Sequence, residues 1–428
     1  MSREFDVVIV GAGIIGAAMA GLLLARKLAE SGRVAIIAER LTPGGGTAAG
    51  AAAAAGTEAP GTGPAADWDL RVFALSRASQ RLLQLCGVWQ HLPPQRVFAY
   101  ERMCVWDASG VPQGAGSLTF DCAEIGEPNL GFIVEGRALQ ERCLYAARAA
   151  GTVVIEAGVQ EVAVNDSEAR IRLSDGRDLR GRLLIAADGA ESRTRDLLGI
   201  DTAGHAYHQD ALVAHVRTVG SHRNTAWQRF LATGPLAFLP LPDGRSSIVW
   251  SAARAEAARL RALDAAAFGA ALTAASGAVL GDAELTTPVA SFPLKLQYAV
   301  DYVRPRAVLL GDAAHAVHPL AGQGLNLGLL DCASLAEVLS AAGGRPLLGD
   351  YRVLRRYERW RRSENLLAAT AFDGLERLFS NANPAMAQLR SAGLIAVARL
   401  PFIKRQFAKR ALGLIGDVPA FLKVEGGP

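Results

Sequence analysis

Short apolar runs mark three places along the chain where the sequence predicts buried strands. They are Phe5 to Val10, Leu183 to Ala186 and Val308 to Leu310. Apart from Asp6 in the first, each run is continuous rather than alternating, which is typical of strands covered on both faces by helices in a parallel sheet. A glycine follows each run within three residues. The pattern predicts an α/β chain whose strand ends carry glycine turns.

The first run leads into a glycine turn and a helix. The letters GAGIIG follow it, then a helical stretch and a second apolar run that ends at Glu39. In a dinucleotide-binding unit of this form, Gly11 makes the turn, Gly13 lets the backbone approach a pyrophosphate, and Gly16 lets the helix pack on the strand. Glu39 would accept a hydrogen bond from a ribose hydroxyl. The acid favours an adenosine with a free 2′-hydroxyl, as in FAD or NAD.

The third run leads into another glycine-rich turn. Gly311-Asp312 follows the strand, Pro319 stops the chain, and a helical pattern begins at Leu325 after Gly322-Gln323-Gly324. Amides at a helix N-terminus favour negative charge on a bound group, and a carboxylate at a strand end can bind hydroxyl groups. The stretch is therefore predicted to be a cofactor cradle. Taken alone, it also fits an ordinary strand-turn-helix.

Charged residues beside predicted strand ends and helix starts are further candidates. Arg71 and Arg137 stand at predicted helix starts, where a fixed cation can meet a phosphate or a flavin oxygen. For Arg71, an ion pair with a neighbouring carboxylate is an equal alternative. Asp188-Gly189 follows the second run, and its alternative is a plain turn.

The middle of the chain shows a different pattern. Ala211 to Ser251 has short strand-like runs separated by Gly-Pro and Pro-Asp-Gly, which predicts an antiparallel sheet able to wall a pocket. A helical connector, Leu260 to Val279, and a strand, Val289 to Leu294, lead back to the third apolar run. The dinucleotide lobe is therefore predicted to be discontinuous. The low-complexity segment 42–67 is predicted to be a flexible loop.

From Leu335 onward the pattern is helical. The stretch Tyr351 to Arg362 is rich in arginine, which is most often a solvated helix face. Near the end, apolar residues such as Phe402 and Phe407 alternate with basic ones such as Arg405. Apolar and basic faces together suit a membrane surface. A terminal helix packed on the body of the protein is an equal alternative.

Composition narrows the function classes. With 428 residues and 50% hydrophobic content, the chain can bury large cores in more than one lobe. A net charge of +4, without a basic stripe interleaved with aromatic residues, gives no reason to expect nucleic acid binding. The five cysteines have no CxxC spacing, which argues against a disulfide framework and a zinc site. We expect a reducing, cytoplasmic location and no metal.

The three glycine turns together resemble the flavin-dependent aromatic monooxygenases, the group that contains p-hydroxybenzoate hydroxylase. The letters ALSRAS, VWDASG, GFIVEGR, TAWQRFLATGPLAFLPL and GDAAHAVHPLAGQGLNLG look like the ubiquinone-biosynthesis hydroxylases within that group. The resemblance covers nearly the whole chain and departs chiefly at 42–67. It implies a discontinuous Rossmann-type FAD-binding domain, an inserted antiparallel-sheet substrate domain and a helical C-terminal region.

The resemblance implies boundaries and site residues. The FAD-binding domain would comprise 1–70, 137–200 and 296–345, with a mixed substrate/FAD segment at 71–136, the substrate sheet at 201–295 and helices at 346–428. Cofactor-binding positions would be Gly11, Gly13, Ile14, Ile15, Gly16, Glu39, Arg40, Arg71, Arg137, Asp188, Gly189, Gly311, Asp312, Gly324, Leu325 and Asn326. Positions next to the reacting ring would be Pro319, Gly322, Gln323 and Gly324. His315 and His318 are interpreted as structural or pocket-lining.

The resemblance also implies the reaction. FAD would be bound, NAD(P)H would reduce it transiently, and O2 would form a flavin hydroperoxide that hydroxylates the ring of a polyprenylated phenol in ubiquinone biosynthesis. A ubiquinone-biosynthesis protein complex and the inner face of a membrane are further expected contacts. Two alternatives stay open: a flavin-dependent prenyl reductase, and a flavin-holding assembly member with weak activity of its own. The WxWxIP motif of flavin-dependent halogenases is absent.

Overall fold

A computed structural model of the chain describes residues 3–41, 68–114, 116–316, 323–379, 393 and 400–423. The segment 42–67, predicted to be a loop, lies outside the described residues. So do Pro319, Gly322 and His318, and their predicted roles stay predictions.

The strands lie in three sheets. In chain order they are β1 (Arg3–Val10), β2 (Val34–Ala38), β3 (Val72–Leu75), β4 (Val97–Tyr100), β5 (Arg102–Asp107), β6 (Ser117–Asp121), β7 (Gly131–Glu135), β8 (Val153–Glu156), β9 (Val159–Val164), β10 (Ala169–Leu173), β11 (Asp178–Ala186), β12 (Thr202–Thr218), β13 (Thr225–Leu231), β14 (Gly234–Pro240), β15 (Ser246–Ala253), β16 (Ala283–Leu285), β17 (Ala290–Ala299), β18 (Val303–Arg304), β19 (Ala307–Leu309) and β20 (His315–Ala316).

The helices connect and cover these sheets. In chain order they are α1 (Ile14–Ala25), α2 (Arg77–Leu85), α3 (Gly136–Ala149), α4 (Arg193–Leu197), α5 (Arg254–Arg261), α6 (Ala265–Ser276), α7 (Gln323–Ala341), α8 (Tyr351–Phe379) and α9 (Pro401–Ala411). The predicted connector Leu260 to Val279 is in fact two helices. Asp264 divides them, because its carboxylate accepts from the Ala267 amide and caps α6.

The first sheet aligns the ends of five parallel strands, β19, β11, β1, β2 and β8. Its order is β18-β19-β11-β1-β2-β8, with the hairpin β9-β10 joined to β11. Val10 pairs with Ile37 on one side and with Ala186 on the other, and Ala186 pairs with Leu309. The three predicted turns therefore start from one edge of the sheet. Ligands of open α/β sheets bind outside this carboxyl edge.

The core of this lobe consists of two apolar clusters, one on each side of the sheet. The interior strands are buried on both faces, as continuous apolar runs predict. α1 packs against α3 and α7 on one face. Among the described residues, α7 is the helix long and apolar enough to cross a membrane, but it is mostly buried as a core helix here.

The second sheet is largely antiparallel. Its order is β20-β17-β12-β15-β14-β13-β5-β6, with β16 paired to β12 and β13 parallel to β5. α5 and α6 cover one face, where Leu212, Trp250 and Phe268 are buried in a second core. The sheet takes β5 and β6 from the predicted mixed substrate/FAD segment, and it also includes β17 and β20, which run past residue 295, the end of the predicted substrate sheet. The third sheet, β3-β7-β4, lies within the predicted mixed segment.

Candidate active site

Two glycines of the first turn are required by the protein's own backbone. Gly11 adopts a φ of +113°, and a Cβ there would lie 2.2 Å from the Ala187 carbonyl oxygen. A Cβ on Gly16 would lie 2.0 Å from the Gly11 carbonyl oxygen. Both positions exclude a side chain on steric grounds alone. They bring α1 and the turn after β11 into close contact with the end of β1.

Gly13 differs from its neighbours. Its backbone is extended, with a φ of −71°, which any residue can adopt. A Cβ at Gly13 would have nothing within 4 Å among the described residues. Gly13 caps the N-terminus of α1, whose first amides have no partner within the helix. The open space and the helix amides at this position suit a bound anionic group.

Ile15 joins the first turn to the third. A Cβ on Gly311 would lie 3.1 Å from Ile15 Cγ1, and a Cβ on Gly328 would lie 2.7 Å from Ile15 Cδ1. Gly311 has a φ of +57°, in the left-handed region that glycine adopts at no steric cost. One isoleucine side chain thus occupies the space that two glycines leave. The close packing holds α1, the third turn and α7 together.

Asp312 lies at the third turn, with its side chain exposed. Gly311–Ala313 forms one turn of 3-10 helix directly after the carboxyl edge of the sheet. Solvent reaches the Asp312 side chain, yet protein encloses it closely enough that desolvation raises the pKa of its carboxyl. His315 and Arg71 oppose this rise. Among the described residues, the carboxylate has no hydrogen-bond partner, so its oxygens are available to a ligand's hydroxyl groups.

Asp188 serves its own loop. Its carboxylate accepts from the Ser192 hydroxyl and, at 3.0 Å, from the Thr194 amide at the start of α4. Gly189 has a φ of +90°. A ligand contact by the Asp188 carboxylate would compete with these bonds, which favours an indirect part in shaping the site. The turn lies against Gly11, whose Cβ would fall 2.9 Å from the Asp188 amide nitrogen.

Asn326 is also used by the protein itself. Its side-chain oxygen accepts from the Ser76 amide at 2.8 Å and the Ser79 hydroxyl at 2.7 Å, and its amide group donates to the Ala74 carbonyl at 2.8 Å. The side chain ties the start of α7 to the β3–α2 connection. Only the backbone of Asn326 can therefore serve a ligand. Gly324 is different, since a Cβ there would meet nothing within 4 Å of it.

The charged candidates lie at the surface of the same region. Glu39 and Arg40 are exposed after β2, and Arg71 and Arg137 are exposed before β3 and in the first turn of α3. The Gly136 amide donates to the Arg71 carbonyl at 2.7 Å, which brings the two arginine segments together. Arg71 forms no salt bridge with a carboxylate in the part of the chain that the structure describes, although its charge is close enough to Asp312 to oppose the rise in the pKa of that carboxyl.

Comparison with known proteins identifies the family. Residues 138–365 match the FAD binding domain family. The chain is 33% identical over 418 residues to the 3-demethoxyubiquinol 3-hydroxylase of Escherichia coli, covering 96% of this chain and 100% of that protein. The chain belongs to the FAD-dependent ubiquinone-biosynthesis hydroxylases. It is therefore a flavin-dependent hydroxylase with FAD as its cofactor.

Other members of this hydroxylase family give the same result. The ubiquinone hydroxylase UbiL of Rhodospirillum rubrum is 36% identical over 413 residues, covering 96% of this chain and 90% of that protein. The solved structure of p-nitrophenol 4-monooxygenase PnpA from Pseudomonas putida superposes with a TM-score of 0.73 at 18% identity, covering 96% of this chain and 99% of that one. This likeness confirms the predicted fold class.

The described residues of this hydroxylase fit FAD. The open space at Gly13, at the N-terminus of α1, suits a pyrophosphate, and the unpaired carboxylate of Asp312 suits the hydroxyl groups of a ribityl chain. Glu39 stands at the same sheet edge, one strand away from Gly11. FAD would thus extend along the carboxyl edge from β2 towards β19.

Two residues of the hydroxylase that sequence reasoning left without a role lie directly behind the site. Arg195 is buried, and its guanidinium donates to the carbonyls of Ala190 at 3.1 Å and Ala313 at 3.3 Å. Asp331 is buried in α7 and accepts from the Gly311 amide. For Asp331 the sequence carries a signal, a charged residue within an apolar helical stretch, whereas Arg195 stands among other charged residues and is not marked in this way. His315 binds Asp331, which supports its structural interpretation.

Proposed function

We propose that this hydroxylase adds a hydroxyl group to the aromatic ring of a polyprenylated phenol in ubiquinone biosynthesis, with FAD bound and NAD(P)H and O2 consumed. The observation that carries the proposal is the full-length similarity to a 3-demethoxyubiquinol 3-hydroxylase. A second relative is named a ubiquinone hydroxylase, and others are named ubiquinone biosynthesis monooxygenases. Ring hydroxylation within ubiquinone synthesis is common to these names.

The protein's part in the reaction is positioning and electrostatics. Bound FAD would supply the redox chemistry, taking electrons from NAD(P)H and activating O2 for transfer to the ring. The amides at the N-terminus of α1 would hold the pyrophosphate, with Gly13 leaving room for it. Asp312 would accept hydrogen bonds from the ribityl hydroxyls. The amides of Gln323 and Gly324, at the start of α7, would stabilise negative charge on the flavin.

The substrate wall is proposed on the open face of the antiparallel sheet. Leu212 and Trp250 point into the core under α5 and α6, so their neighbours along the strands point to the other face. Val213 and Val249 are paired there and are half-buried. These two apolar side chains suit a phenol ring with a prenyl group. On this basis the sheet forms the substrate domain, and the three parallel-sheet segments form the FAD domain.

A membrane surface is the proposed location of the substrate, because polyprenylated phenols are apolar. α9 packs on the body through Ala408 and Leu412, which are buried. On its outer side, Phe402 is 67% exposed and Phe407 is 58% exposed, with Arg405 exposed between them. These side chains suit insertion into an anionic bilayer surface. We propose a cytoplasmic protein that binds the inner face of the membrane and meets its biosynthetic partners there.

A turnover assay tests the proposed reaction. Purified protein with FAD, NAD(P)H and a short-chain polyprenylphenol should consume oxygen and yield a product with one added hydroxyl group. The same mixture without oxygen should reduce the flavin and yield no hydroxylated product. NADH and NADPH are compared in parallel, since the proposal covers both.

The two alternatives give different results in this assay. A prenyl reductase would saturate the prenyl group without oxygen. A flavin-holding assembly member would show flavin reduction without a hydroxylated product across several phenols. Either result would overturn the proposed reaction while leaving the FAD site in place.

A further inference from the structure

A buried carboxylate holds both ends of the turn that carries Asp312. Asp331 has no solvent-exposed surface, and it accepts four hydrogen bonds. One oxygen accepts from the Gly311 amide at 3.1 Å and from His315 Nε2 at 2.6 Å. The other accepts from Arg361 Nε at 2.8 Å and Asn365 Nδ2 at 3.1 Å. The first pair flanks Asp312 in sequence, and the second pair belongs to α8.

This arrangement makes the turn part of a rigid unit. Gly311 and His315 bind a single oxygen of Asp331, so the backbone on both sides of Asp312 is held at fixed positions. The second oxygen is held by α8, where Arg361 is itself buried and donates to Asn365 at 2.7 Å. A buried polar network in which each donor reaches the carboxylate favours one geometry over others.

The carboxylate is ionised in this setting. Burial opposes ionisation, but the charges and hydrogen bonds of His315 and Arg361 outweigh it and lower the pKa of Asp331 to about 2. The charge of Asp331 in turn raises the pKa of Asp312, as burial does. The groups that bond to Asp331 from the turn and from α8 are all hydrogen-bond donors. Asp312 is a nearby acid, and its pKa is raised in part by the charge of Asp331.

We propose that Asp331 is a positioning residue for FAD: it sets the orientation of Asp312 and so governs cofactor affinity. The inference rests on the proposed contact between Asp312 and FAD. Asp331 does not touch the cofactor, because the turn lies between them. Its effect passes through the Gly311 amide and His315.

The sequence offers a matched control at the opposite edge of the same sheet. Asp6 has no exposed surface, and it is paired with Arg33, Arg182 and Arg345 near the start of β1. Asp331→Asn and Asp6→Asn each neutralise a buried, ion-paired carboxylate. Both should lower the melting temperature of the protein. Only one lies behind the proposed cofactor site.

FAD affinity separates a positioning role from a structural one. Quenching of FAD fluorescence by apoprotein, at a temperature where circular dichroism shows both variants folded, should give an affinity weakened about tenfold for Asp331→Asn, as expected for losing a hydrogen bond to a charged group. Asp6→Asn should bind FAD as the wild type does. The reduction potential of bound FAD should also shift in Asp331→Asn alone. Wild-type affinity in Asp331→Asn, or equal weakening in both, would overturn the proposal.

A second pair decides the matter if Asp331→Asn does not fold. His315→Leu removes a donor on the side of the turn, and Asn365→Leu removes one on the side of α8. The turn-side variant should weaken FAD binding more than the helix-side variant, and equal or reversed effects would overturn the proposal. Asp312→Ala checks the premise separately: if it retains full FAD affinity, the proposed contact of Asp312 fails, whatever the Asp331 variants show.

Discussion

Arg195 donates its guanidinium Nη1 to the carbonyl oxygen of Ala313 at 3.3 Å, across 118 positions of the sequence. The same nitrogen donates to the Ala190 carbonyl at 3.1 Å. Ala190 belongs to the turn after β11, and Ala313 belongs to the turn that carries Asp312. One buried arginine therefore holds the second and third glycine turns at a fixed separation.

Removing this link should destabilise the apoprotein. Arg195→Met leaves two carbonyl oxygens without their donor, and a loss of ~1–3 kcal/mol in the free energy of unfolding is expected. Arg193→Met, at an exposed position of the same helix, should change it by about 0.5 kcal/mol or less. Urea unfolding of both variants measures the difference. Equal effects would show that the link does not contribute.

Substitution of Gly13 should weaken FAD binding without changing the stability of the apoprotein. Gly13→Ala adds a Cβ into open space on an extended backbone, so the free energy of unfolding of the apoprotein should change by about 0.5 kcal/mol or less. FAD affinity should fall about tenfold or more, because the methyl group blocks the approach of the pyrophosphate. Fluorescence titration of the apoprotein with FAD measures this.

Gly11→Ala is the contrasting variant. Its Cβ would meet the Ala187 carbonyl oxygen at 2.2 Å on a backbone with positive φ, so the apoprotein itself should be destabilised. Normal FAD affinity in the Gly13→Ala variant of the preceding prediction would contradict the proposed position of the pyrophosphate at Gly13.

The ionised carboxylate of Asp312 should destabilise the apoprotein at neutral pH. Desolvation raises the pKa of its carboxyl above the unfolded value of about 3.9, so the stability that the protonated group contributes is present in acid and lost as pH rises through the folded pKa. Asp312→Asn should therefore melt at a higher temperature than the wild type at neutral pH, with the gap shrinking in acid, while FAD binding weakens.

The control for Asp312 is an exposed carboxylate. Asp417→Asn should give a melting temperature that follows the wild type across the same pH range. A difference in melting temperature between Asp312→Asn and the wild type that grows in acid would contradict a raised pKa for the Asp312 carboxyl.

Membrane association should depend on the exposed side of α9. Phe402→Ser combined with Phe407→Ser removes two largely exposed aromatic side chains, each worth about 1.5–3 kcal/mol when fully buried. Sedimentation with vesicles that contain anionic lipid should fall about tenfold or more. Val219→Ser, at an 83% exposed position on the sheet domain, should leave sedimentation unchanged. Unchanged sedimentation of the double variant would favour a helix that only packs on the body.

The parts of the site that could be predicted from sequence are those set by local rules. Gly11 and Gly16 are needed for a turn and for helix packing, and continuous apolar runs mark buried parallel strands; each requirement lies within a few residues. The ends of these strands then meet at one edge because parallel strands share it. This accounts for the agreement between the sequence pattern and the structure over the discontinuous lobe.

The parts that could not be predicted depend on contacts between distant segments. Nothing local shows that Arg195 reaches the Ala313 carbonyl, or that Asp331 accepts from Gly311. Nor does anything local show that the side chain of Asn326, a position that the resemblance assigns to the cofactor, binds Ala74, Ser76 and Ser79. The inserted sheet takes β5 and β6 from the predicted mixed substrate/FAD segment, and strand patterns alone do not reveal which strands pair.

The central claim is that this hydroxylase transfers an atom of molecular oxygen to a prenylated phenol ring. The most direct measurement is turnover of the FAD-loaded protein with NAD(P)H and a short-chain polyprenylphenol under isotopically heavy oxygen gas, followed by mass spectrometry of the product. The account predicts a ring hydroxyl that carries the heavy isotope. A hydroxyl with oxygen from water, or oxygen consumption without a hydroxylated ring, would contradict it.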